Sequence, residues 1–346
     1  MTWTAGTAPG GSVNDIVWIG DRWLAAGSVV EGENRPRAAT WTSVDGTTWE
    51  PGAPIGPDAV PGPEGMSFYI SDVLVLDDEL IAFGWNPIGC CDGGKAALWR
   101  STDGVNWTNV VTTGTDYDTY QFPMDAAVAP NGELVLVSGV GLGTGSTVFT
   151  STDGITWVEQ NVDQEGIGLA RVASSDSRIV AVGNTVSFDT GPVPLVWASA
   201  DGHSWSVVDA PPGSGELRDI TWDQVAGRFV IVGRDDEGRP AVWLTEDATI
   251  WGTTTLAPVA GYAESVSAAN GLIVASGASG EPSVGEATVW SSFDGITWQV
   301  QPFDATVANR TIVETAGERA MLHASSFGPE PDYEPIAIVW AGTLAR

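Results

Sequence analysis

Two clusters of side chains along this sequence combine residue types that are suited to holding a ligand. In the first, the segment 112–122 places Tyr117 and Tyr120 beside Asp116 and Asp118. An aromatic ring covers the apolar surface of a sugar or a peptide, while neighbouring carboxylates accept its hydroxyl or amide protons. The structural alternative is that the rings pack under their own loop. We predict Tyr117, Tyr120, Asp116 and Asp118 as ligand-binding residues.

The second cluster is Trp85 with the segment 86–95, which contains the two cysteines of the chain, Cys90 and Cys91. Adjacent α-carbons lie only ~3.8 Å apart, so a disulfide between them would force a distorted turn, which the neighbouring glycines would permit. Two free thiols are the alternative. A metal site is disfavoured because the pair supplies half of the usual ligands and no histidine lies nearby in sequence. Trp85, Cys90 and Cys91 complete the predicted ligand-binding set.

A third set of residues recurs at matching places, each at the start of a short apolar strand. Carboxylates brought together in this way would line a central channel and hold a cation or water. Alternatively, each carboxylate accepts main-chain amides where its strand begins. No cofactor is predicted beyond such a bound cation. The set is Asp15, Asp72, Asp125, Arg171 and Asp219, with Ser265 at the same register.

The elements that position these candidates are revealed by an internal repeat. Six copies of a pattern close to Trp-x-Ser-x-Asp-Gly-x-x-Trp occur at 41–49, 99–107, 149–157, 197–205, 243–251 and 290–298. Their closing tryptophans follow one another at intervals of 46–58 residues, the spacing of propeller blades. Each copy reads as a strand end, a tight turn and a new strand. The fifth copy has Ala248 in place of glycine, so we expect its turn to be the least regular.

An apolar strand that ends in glycine precedes each motif, as at 24–27 and 230–233, and a further short strand precedes that one. Four strands per unit predict an all-β, seven-bladed propeller. The seventh unit lacks its outer strand, and the segment around Trp3 resembles the missing piece, so an N-terminal strand should pair with the C-terminal blade and close the ring. The predicted single domain, 1–346, has blades at roughly 11–50, 66–108, 120–158, 167–206, 216–252, 261–299, and 310–346 with 1–5.

The repeated motif resembles the Asp-box, or BNR repeat, of sialidases and of sortilin-type seven-bladed propellers, although it is one residue shorter than the full form. The resemblance spans the whole chain. It implies a propeller in which the box aspartate has a structural role in a turn away from any active site. Those aspartates are Asp45, Asp103, Asp153, Asp201, Asp247 and Asp294.

Sialidases of that family bind a substrate carboxylate with three arginines and use a tyrosine with a glutamate partner and an aspartate. This sequence lacks the family's Arg-Ile-Pro signature and has seven blades where those enzymes usually have six. Arg171, Arg218 and Arg310 lie just before or within the inner strands of three blades, and they are the candidates for such a triad. The structural alternative is a set of isolated surface or interblade ion pairs.

The charge of the chain disfavours several classes of partner. The 14 Lys and Arg against 44 Asp and Glu give a net charge of −30, which repels phosphate backbones and anionic membranes, so we expect no nucleic-acid binding. The sequence contains no run of ~18 apolar residues, so no transmembrane helix is predicted. The first residues lack a signal-peptide pattern, so the chain is either cytoplasmic or a mature exported domain, and we predict the second, secreted or at the cell surface.

The sequence therefore predicts a binding or scaffold propeller rather than a recognisable enzyme. We expect it to act as a monomer and to recognise a glycan or a protein with the loops that lead into the inner strands and join the second and third strands. The alternative is a sialidase-like glycoside hydrolase, which requires Arg171, Arg218 and Arg310 to converge.

Overall fold

The computed structural model describes residues 1–31, 35–55, 68–87, 94–110, 121–140, 146–160, 167–185, 191–257, 259–280, 286–302, 310–327 and 335–343. Within these ranges the chain forms 28 strands and no helix. The strands make seven separate four-stranded antiparallel sheets, each with its strands in spatial sequence. Consecutive sheets lie side by side around an axis, which confirms the predicted seven-bladed β-propeller.

The strands of the first four blades, from the axis outward, are as follows. Blade 1 has β2 (Ser12–Trp18), β3 (Trp23–Glu31), β4 (Arg35–Ser43) and β5 (Glu50–Pro51). Blade 2 has β6 (Tyr69–Val75), β7 (Leu80–Pro87), β8 (Gly94–Ser101) and β9 (Thr108–Val110). Blade 3 has β10 (Gln121–Val128), β11 (Leu134–Val140), β12 (Ser146–Ser151) and β13 (Val158–Gln160). Blade 4 has β14 (Ile167–Ser174), β15 (Ile179–Thr185), β16 (Val193–Ser199) and β17 (Trp205–Val208).

The remaining three blades follow the same plan. Blade 5 has β18 (Ser214–Asp223), β19 (Arg228–Asp235), β20 (Pro240–Thr245) and β21 (Gly252–Thr255). Blade 6 has β22 (Gly261–Ala269), β23 (Leu272–Ser279), β24 (Glu286–Ser292) and β25 (Gln299–Val300). Blade 7 has β26 (Arg310–Ala316), β27 (Arg319–Phe327), β28 (Pro335–Thr343) and, from the other end of the chain, β1 (Thr2–Gly6).

The ring is closed by the pairing of the two ends of the chain. Strand β1 runs antiparallel to β28, with Thr2 opposite Thr343 and Gly6 opposite Val339. The ammonium group of Met1 donates to Gln301 Oε1 of blade 6 at 2.7 Å. These contacts confirm the closure predicted from the sequence, and they join residues almost the whole chain length apart. Among the described residues, no helix is long and apolar enough to span a bilayer.

The apolar core lies between the blades rather than within them. One cluster, for example, joins Val180 and Val196 of blade 4 to Phe229, Ile231 and Trp243 of blade 5, all inaccessible to solvent. Six further clusters fill the other junctions, and the tryptophans that open the motifs are at most 5% exposed. A blade therefore buries its apolar faces only against its two neighbours.

The six repeated motifs form turns, here called the motif turns, that share one pattern of hydrogen bonds. In blade 2, Ser101 Oγ accepts the Gly104 amide at 2.9 Å and Asp103 Oδ1 accepts the amides of Val105 and Asn106 at 2.8 and 2.7 Å. These bonds lower the pKa of Asp103 to about 2. The fifth turn, expected to be the least regular, keeps part of this pattern: Ala248 adopts a φ of 62° and donates its amide to Thr245 Oγ1, as the glycines do with their serines. It differs at the aspartate, because Asp247 Oδ1 accepts the amide and the hydroxyl of Thr249, where the other aspartates accept two main-chain amides.

Each motif turn rests on the preceding blade. Arg178 of blade 4 donates to the Asp247 carbonyl of blade 5 at 2.7 Å, and Arg100 of blade 2 donates to the Asp153 carbonyl of blade 3. The motif turns and the β-turns after the inner strands share one face of the disc, the motif-turn face. The connections into the inner strands and between second and third strands lie on the opposite side, the loop face. The strand order fixes this division, because neighbouring strands are antiparallel.

The glycine that ends the second strand of most blades is explained by a bulge in the inner strand. In six blades the inner strand carries one extra residue there, as between Leu169 and Arg171 of blade 4. The bulge brings main chain so close that a Cβ on Gly183 would lie 1.8 Å from the Gly168 carbonyl oxygen. In blade 3 the register places Ser138 at this point, and among the described residues a Cβ on Gly139 would meet nothing nearer than 3.9 Å.

We therefore expect Gly183→Ala to destabilise the protein by about 2 kcal/mol or more, because main chain must shift to admit the methyl group. The matched control is Gly139→Ala, where the same methyl group fits, and it should change the free energy of unfolding by less than about 1 kcal/mol. Urea denaturation followed by tryptophan fluorescence measures both values. Equal losses in the two variants would contradict this account of the bulge.

Candidate functional site

A cavity of about 190 Å³ lies on the axis of the disc, lined by inner strands of the blades. All five residues predicted as a channel ring line it: Asp15, Asp72, Asp125, Arg171 and Asp219. All five directly follow the bulge residue of their strand, as Ser265 also does in blade 6, so the bulge sets the direction of the side chain. The lining is polar, and Asn14, Glu264, Arg310 and Glu314 contribute to it.

The ring carboxylates link each blade to the next. Asp15 accepts the amide of Ile16 at 2.8 Å and, across the junction, the amide of Val73 in blade 2 at 2.9 Å. Ser265 Oγ accepts the Val313 amide of blade 7 at 3.2 Å. The two-bond pattern of Asp15 is repeated by Asp125 with the amides of Ala126 and Val172, and by Asp219 with the amides of Ile220 and Val266.

Two junctions lack an acidic or hydroxyl side chain at the ring position and use an arginine instead. Arg171 of blade 4 holds its Nε 3.6 Å from Asp219 Oδ1 of blade 5. At the closing junction, Arg310 of blade 7 donates to the side-chain and main-chain oxygens of Asn14 at 2.8 and 3.1 Å. The polar groups that face the cavity are therefore largely engaged in interblade contacts.

Burial dominates the electrostatics of the cavity. It raises the pKa of Asp15 to about 6, that of Asp125 to about 7 and that of Glu314 to about 8. Burial, with the nearby charges of Asp125 and Asp15, raises the pKa of Asp72 well above its usual range. Arg171 acts in the opposite direction on Asp15, Asp72 and Asp125 because its positive charge favours their ionised forms.

Across the part of the chain that the structure describes, no group of three or more His, Cys, Asp or Glu side chains is placed to hold a metal ion. The Oδ2 atom of Asp72 is buried and has no hydrogen-bond partner within the described ranges, so this ring carboxylate is incompletely satisfied there. A cation in the channel remains a prediction from the sequence.

The three arginines considered for a hydrolase occupy different settings. Arg171 and Arg310 line the cavity, and burial, followed by the positive charge of Arg171, lowers the pKa of Arg310. Arg218 lies over the ring of Tyr262, 4.2 Å from its centroid, and pairs with Glu216 at 3.1 Å and with Glu264. Carboxylates of the protein itself thus already occupy the Arg218 guanidinium.

An aromatic group marks the loop face between blades 2 and 3. The Trp85 ring lies 5.6 Å from that of Tyr69 and 4.7 Å from that of Phe122, the latter edge-on, and all three residues are half-buried. Sequence analysis identified Trp85 but missed Tyr69 and Phe122. The signal available for both was their position at the first residues of inner strands, directly after long connections. Cys90, Cys91, Asp116, Tyr117, Asp118 and Tyr120 lie outside the described residues.

One buried histidine was also given no role by sequence analysis. His323 on β27 is 1% exposed, and neither ring nitrogen has a hydrogen-bond partner among the described residues. Burial, reinforced by the charge of Arg310, lowers the pKa of His323 to about 4. The imidazole is therefore neutral at physiological pH. The other histidine, His203, lies in a motif turn, 2.6 Å from Glu133 of the preceding blade.

Comparison with solved structures finds propeller enzymes of low sequence identity. The virginiamycin B lyase of Staphylococcus aureus is 12% identical over 99% of both chains, with a TM-score of 0.63. A Hadza microbial sialidase is 16% identical over 89% of this chain and 74% of its own, with a TM-score of 0.53. The endosialidase of phage phi92 is 10% identical over 100% of this chain and 69% of its own, with a TM-score of 0.54.

These similarities establish a shared propeller fold. They do not extend to an activity, because identities of this size leave site residues free to differ. No protein-family model matches the sequence, and no curated protein matches it.

The buried carboxyl group of Glu314 leads to a prediction about pH. Its pKa in the folded protein, about 8, lies above the ordinary 4.5, so its protonated form favours folding and that contribution is lost as the pH rises toward 8. The wild type should therefore lose stability as the pH rises from 5 to 8, whereas Glu314→Gln should not lose this contribution. Over that range we expect the free energy of unfolding of the variant to rise by at least about 1 kcal/mol relative to that of the wild type.

Urea denaturation at several pH values between these limits measures this gain. The control Glu318→Gln removes an exposed carboxylate from the turn that follows the same strand. It should leave the pH dependence as in the wild type. If the free energy of unfolding of Glu314→Gln fell with pH as steeply as that of the wild type, ionisation of Glu314 would not destabilise the folded protein and the prediction would be wrong.

Proposed function

We propose that this protein is a non-catalytic binding propeller that recognises a glycan or a protein with its loop face. The observation that carries the proposal is the aromatic group of Tyr69, Trp85 and Phe122, half-buried at the loop-face ends of β6, β7 and β10. Rings that are fixed by one another and still partly open to solvent offer a rigid apolar platform, which suits the face of a sugar ring or an apolar peptide side chain.

The contacts of polar groups in the channel, and of Arg218 outside it, support the same proposal. Asp15, Asp125 and Asp219 each accept two main-chain amides, and Arg218 is neutralised by two glutamates. Groups held in this way stabilise the ring of blades, and they are not free to activate a nucleophile or to bind a substrate carboxylate. Ligand contacts then fall to the connections on the loop face.

The predicted ligand residues Cys90, Cys91, Asp116, Tyr117, Asp118 and Tyr120 belong to connections next to this aromatic group in sequence. The connection 88–93 follows β7, which carries Trp85, and the connection 111–120 precedes β10, which carries Phe122. We propose that these residues extend the platform with hydrogen-bonding groups. An extracytoplasmic, monomeric protein with a net charge of −30 would meet glycans and basic or neutral proteins, but not nucleic acids.

Replacement of the central ring of the platform tests the proposal. We expect Trp85→Leu to weaken binding to a glycan or protein ligand at least tenfold, about 1.4 kcal/mol, because leucine keeps apolar contact but removes the flat stacking surface. Binding is measured with an array of defined glycans and secreted proteins, followed by calorimetry on the strongest ligand.

The matched control is Trp222→Leu. Trp222 is also half-buried and packs against one aromatic ring, Phe229 at 4.7 Å, but it lies at the opposite end of its inner strand, on the motif-turn face. It should bind like the wild type. Equal weakening in both variants, or hydrolysis of a sialic acid glycoside by the wild type, would reject the proposal, and the second result would favour the sialidase-like alternative.

A further inference from the structure

Large apolar side chains are exposed on the motif-turn face of blades 5 and 6. Ile250 is 81% exposed, Val225 69%, Phe293 66% and Ile296 64%. Val225 lies in the turn after β18, Ile250 in the motif turn of blade 5, and Phe293 and Ile296 in that of blade 6. These four residues are called the blade 5–6 patch below.

The motif turns of blades 5 and 6 meet on one floor. A groove of about 340 Å³ is lined by Arg228, Leu244 and Ile250. The motif turn of blade 6 rests on the same floor, since a Cβ on Gly295 would lie 2.9 Å from Arg228 Nη2 and 3.2 Å from Leu244 Cδ1. The groove itself is lined by blade 5, and Gly295 stands between Phe293 and Ile296 in the chain, so the turn that carries these two side chains sits against two residues of the groove lining.

Comparison among the repeats shows that the fold itself does not require these apolar side chains. Phe293 occupies the position of Val44, Thr102, Thr152, Ala200 and Glu246 in the other motif turns. Ile250 occupies the position of Thr48, Asn106, Thr156, Ser204 and Thr297, all of them polar. The turn uses main-chain amides at such positions, as for Thr48, Asn106 and Thr297, so the side chain is free to vary. Blades 5 and 6 therefore expose apolar groups without a structural need.

The surroundings of the patch are acidic. Glu246, Asp247 and Asp294 are exposed within the same two motif turns. Hydrogen bonds from the Thr297 and Ile296 amides lower the pKa of Asp294 to about 2, so it is fully charged at neutral pH. The one arginine on the floor, Arg228, is paired with Asp223 at 3.2 Å. Arg178 donates to the Asp247 carbonyl at 2.7 Å and so brings one positive charge to this rim. The patch thus combines apolar anchors with a rim in which carboxylates outnumber the nearby arginine.

We propose that the blade 5–6 patch docks a basic partner protein, whose apolar side chain enters the groove while lysines or arginines face Glu246, Asp247 and Asp294. A second copy of this chain does not fit the surface, because two molecules of net charge −30 would bring like-charged rims together. Exposed apolar groups with a charged rim are typical of interaction sites on otherwise polar proteins.

The docking surface lies on the face opposite the aromatic group of Trp85. A ligand on the loop face and a partner on the motif-turn face can therefore bind at the same time. The inference is independent of the proposed ligand-binding function, and it adds the role of an adaptor between a ligand and a basic protein.

Two fluorescent peptides of equal length and charge serve as probes, one built from lysine and leucine and the other from lysine and serine. Fluorescence anisotropy at near-physiological salt measures both affinities, so that general attraction to the acidic chain cancels in their ratio. We expect the wild type to bind the leucine peptide at least tenfold more tightly than the serine peptide. In the triple variant Ile250→Thr, Phe293→Thr and Ile296→Thr, which introduces residues found at these positions in other repeats, the ratio should fall to about one.

The matched control is Val44→Thr, which removes an exposed apolar side chain, 67% exposed, from the position in blade 1 that corresponds to Phe293. It should keep the wild-type ratio. Thermal denaturation confirms that all variants are folded. A ratio unchanged in the triple variant, or a loss of equal size in Val44→Thr, would overturn the proposal. Sedimentation velocity that shows a wild-type dimer absent from the triple variant would overturn it in favour of a second copy.

Discussion

No blade of this protein buries its apolar surface by itself, and every other feature of the structure depends on that constraint. Each core cluster joins residues of two neighbouring sheets, as Val180 of blade 4 meets Trp243 of blade 5. A row of such sheets would leave two open apolar faces, one at each end. Pairing of β1 with β28 completes blade 7, whose faces then cover blades 6 and 1. The pairing of the two chain ends is thus required to bury the apolar core.

Apolar packing brings blades together without fixing their height or rotation, and polar bonds supply that information at two radii. Near the axis, ring residues such as Asp15 bind a main-chain amide of the next blade. Farther out, motif turns rest on the turns of the preceding blade, as Asp247 does on Arg178. The inner set has an electrostatic consequence: carboxylates gathered around a narrow cavity acquire raised pKa values, and Arg171 offsets this because it stands among them.

The repeat allowed the fold, the blade count and the ring closure to be predicted from the sequence, because spacing and residue type recur six times.

Contacts between residues of different blades were harder to predict from the sequence. The matching register of Asp15, Asp125 and Asp219 was visible, but their partners Val73, Val172 and Val266 belong to the next blade and carry no sequence signal, since only their amides take part. Tyr69 and Phe122 were missed for a similar reason: their contact with Trp85 depends on how two separate strands end at one face. At Ala248 the sequence indicated a departure but not its form: the bond to Thr245 and the packing of a buried methyl group hold alanine in a left-handed conformation, and the change appears in the bonds of Asp247.

In a repeat protein, the positions that the scaffold requires can be separated from those that it leaves free by comparing the blades with one another. The glycine of the second strand opposite the bulge, the serine and aspartate of the motif turn, and the buried tryptophans each have a contact that explains them in blade after blade. Departures without such a contact call for a different reason. Ile250 and Phe293 add apolar surface where threonine serves the same turn elsewhere, and exposure of that surface to water costs free energy. Arg310 is a departure of another kind. Ile312 stands at the ring position of blade 7, and its side chain has no oxygen that could accept an amide of blade 1. Arg310 links the two blades instead, by donating to Asn14 across the closing junction. The fold therefore explains Arg310, whereas contacts within the protein do not explain the exposed side chains of Ile250 and Phe293. Their burial by another molecule, as in the docking proposal, would explain them.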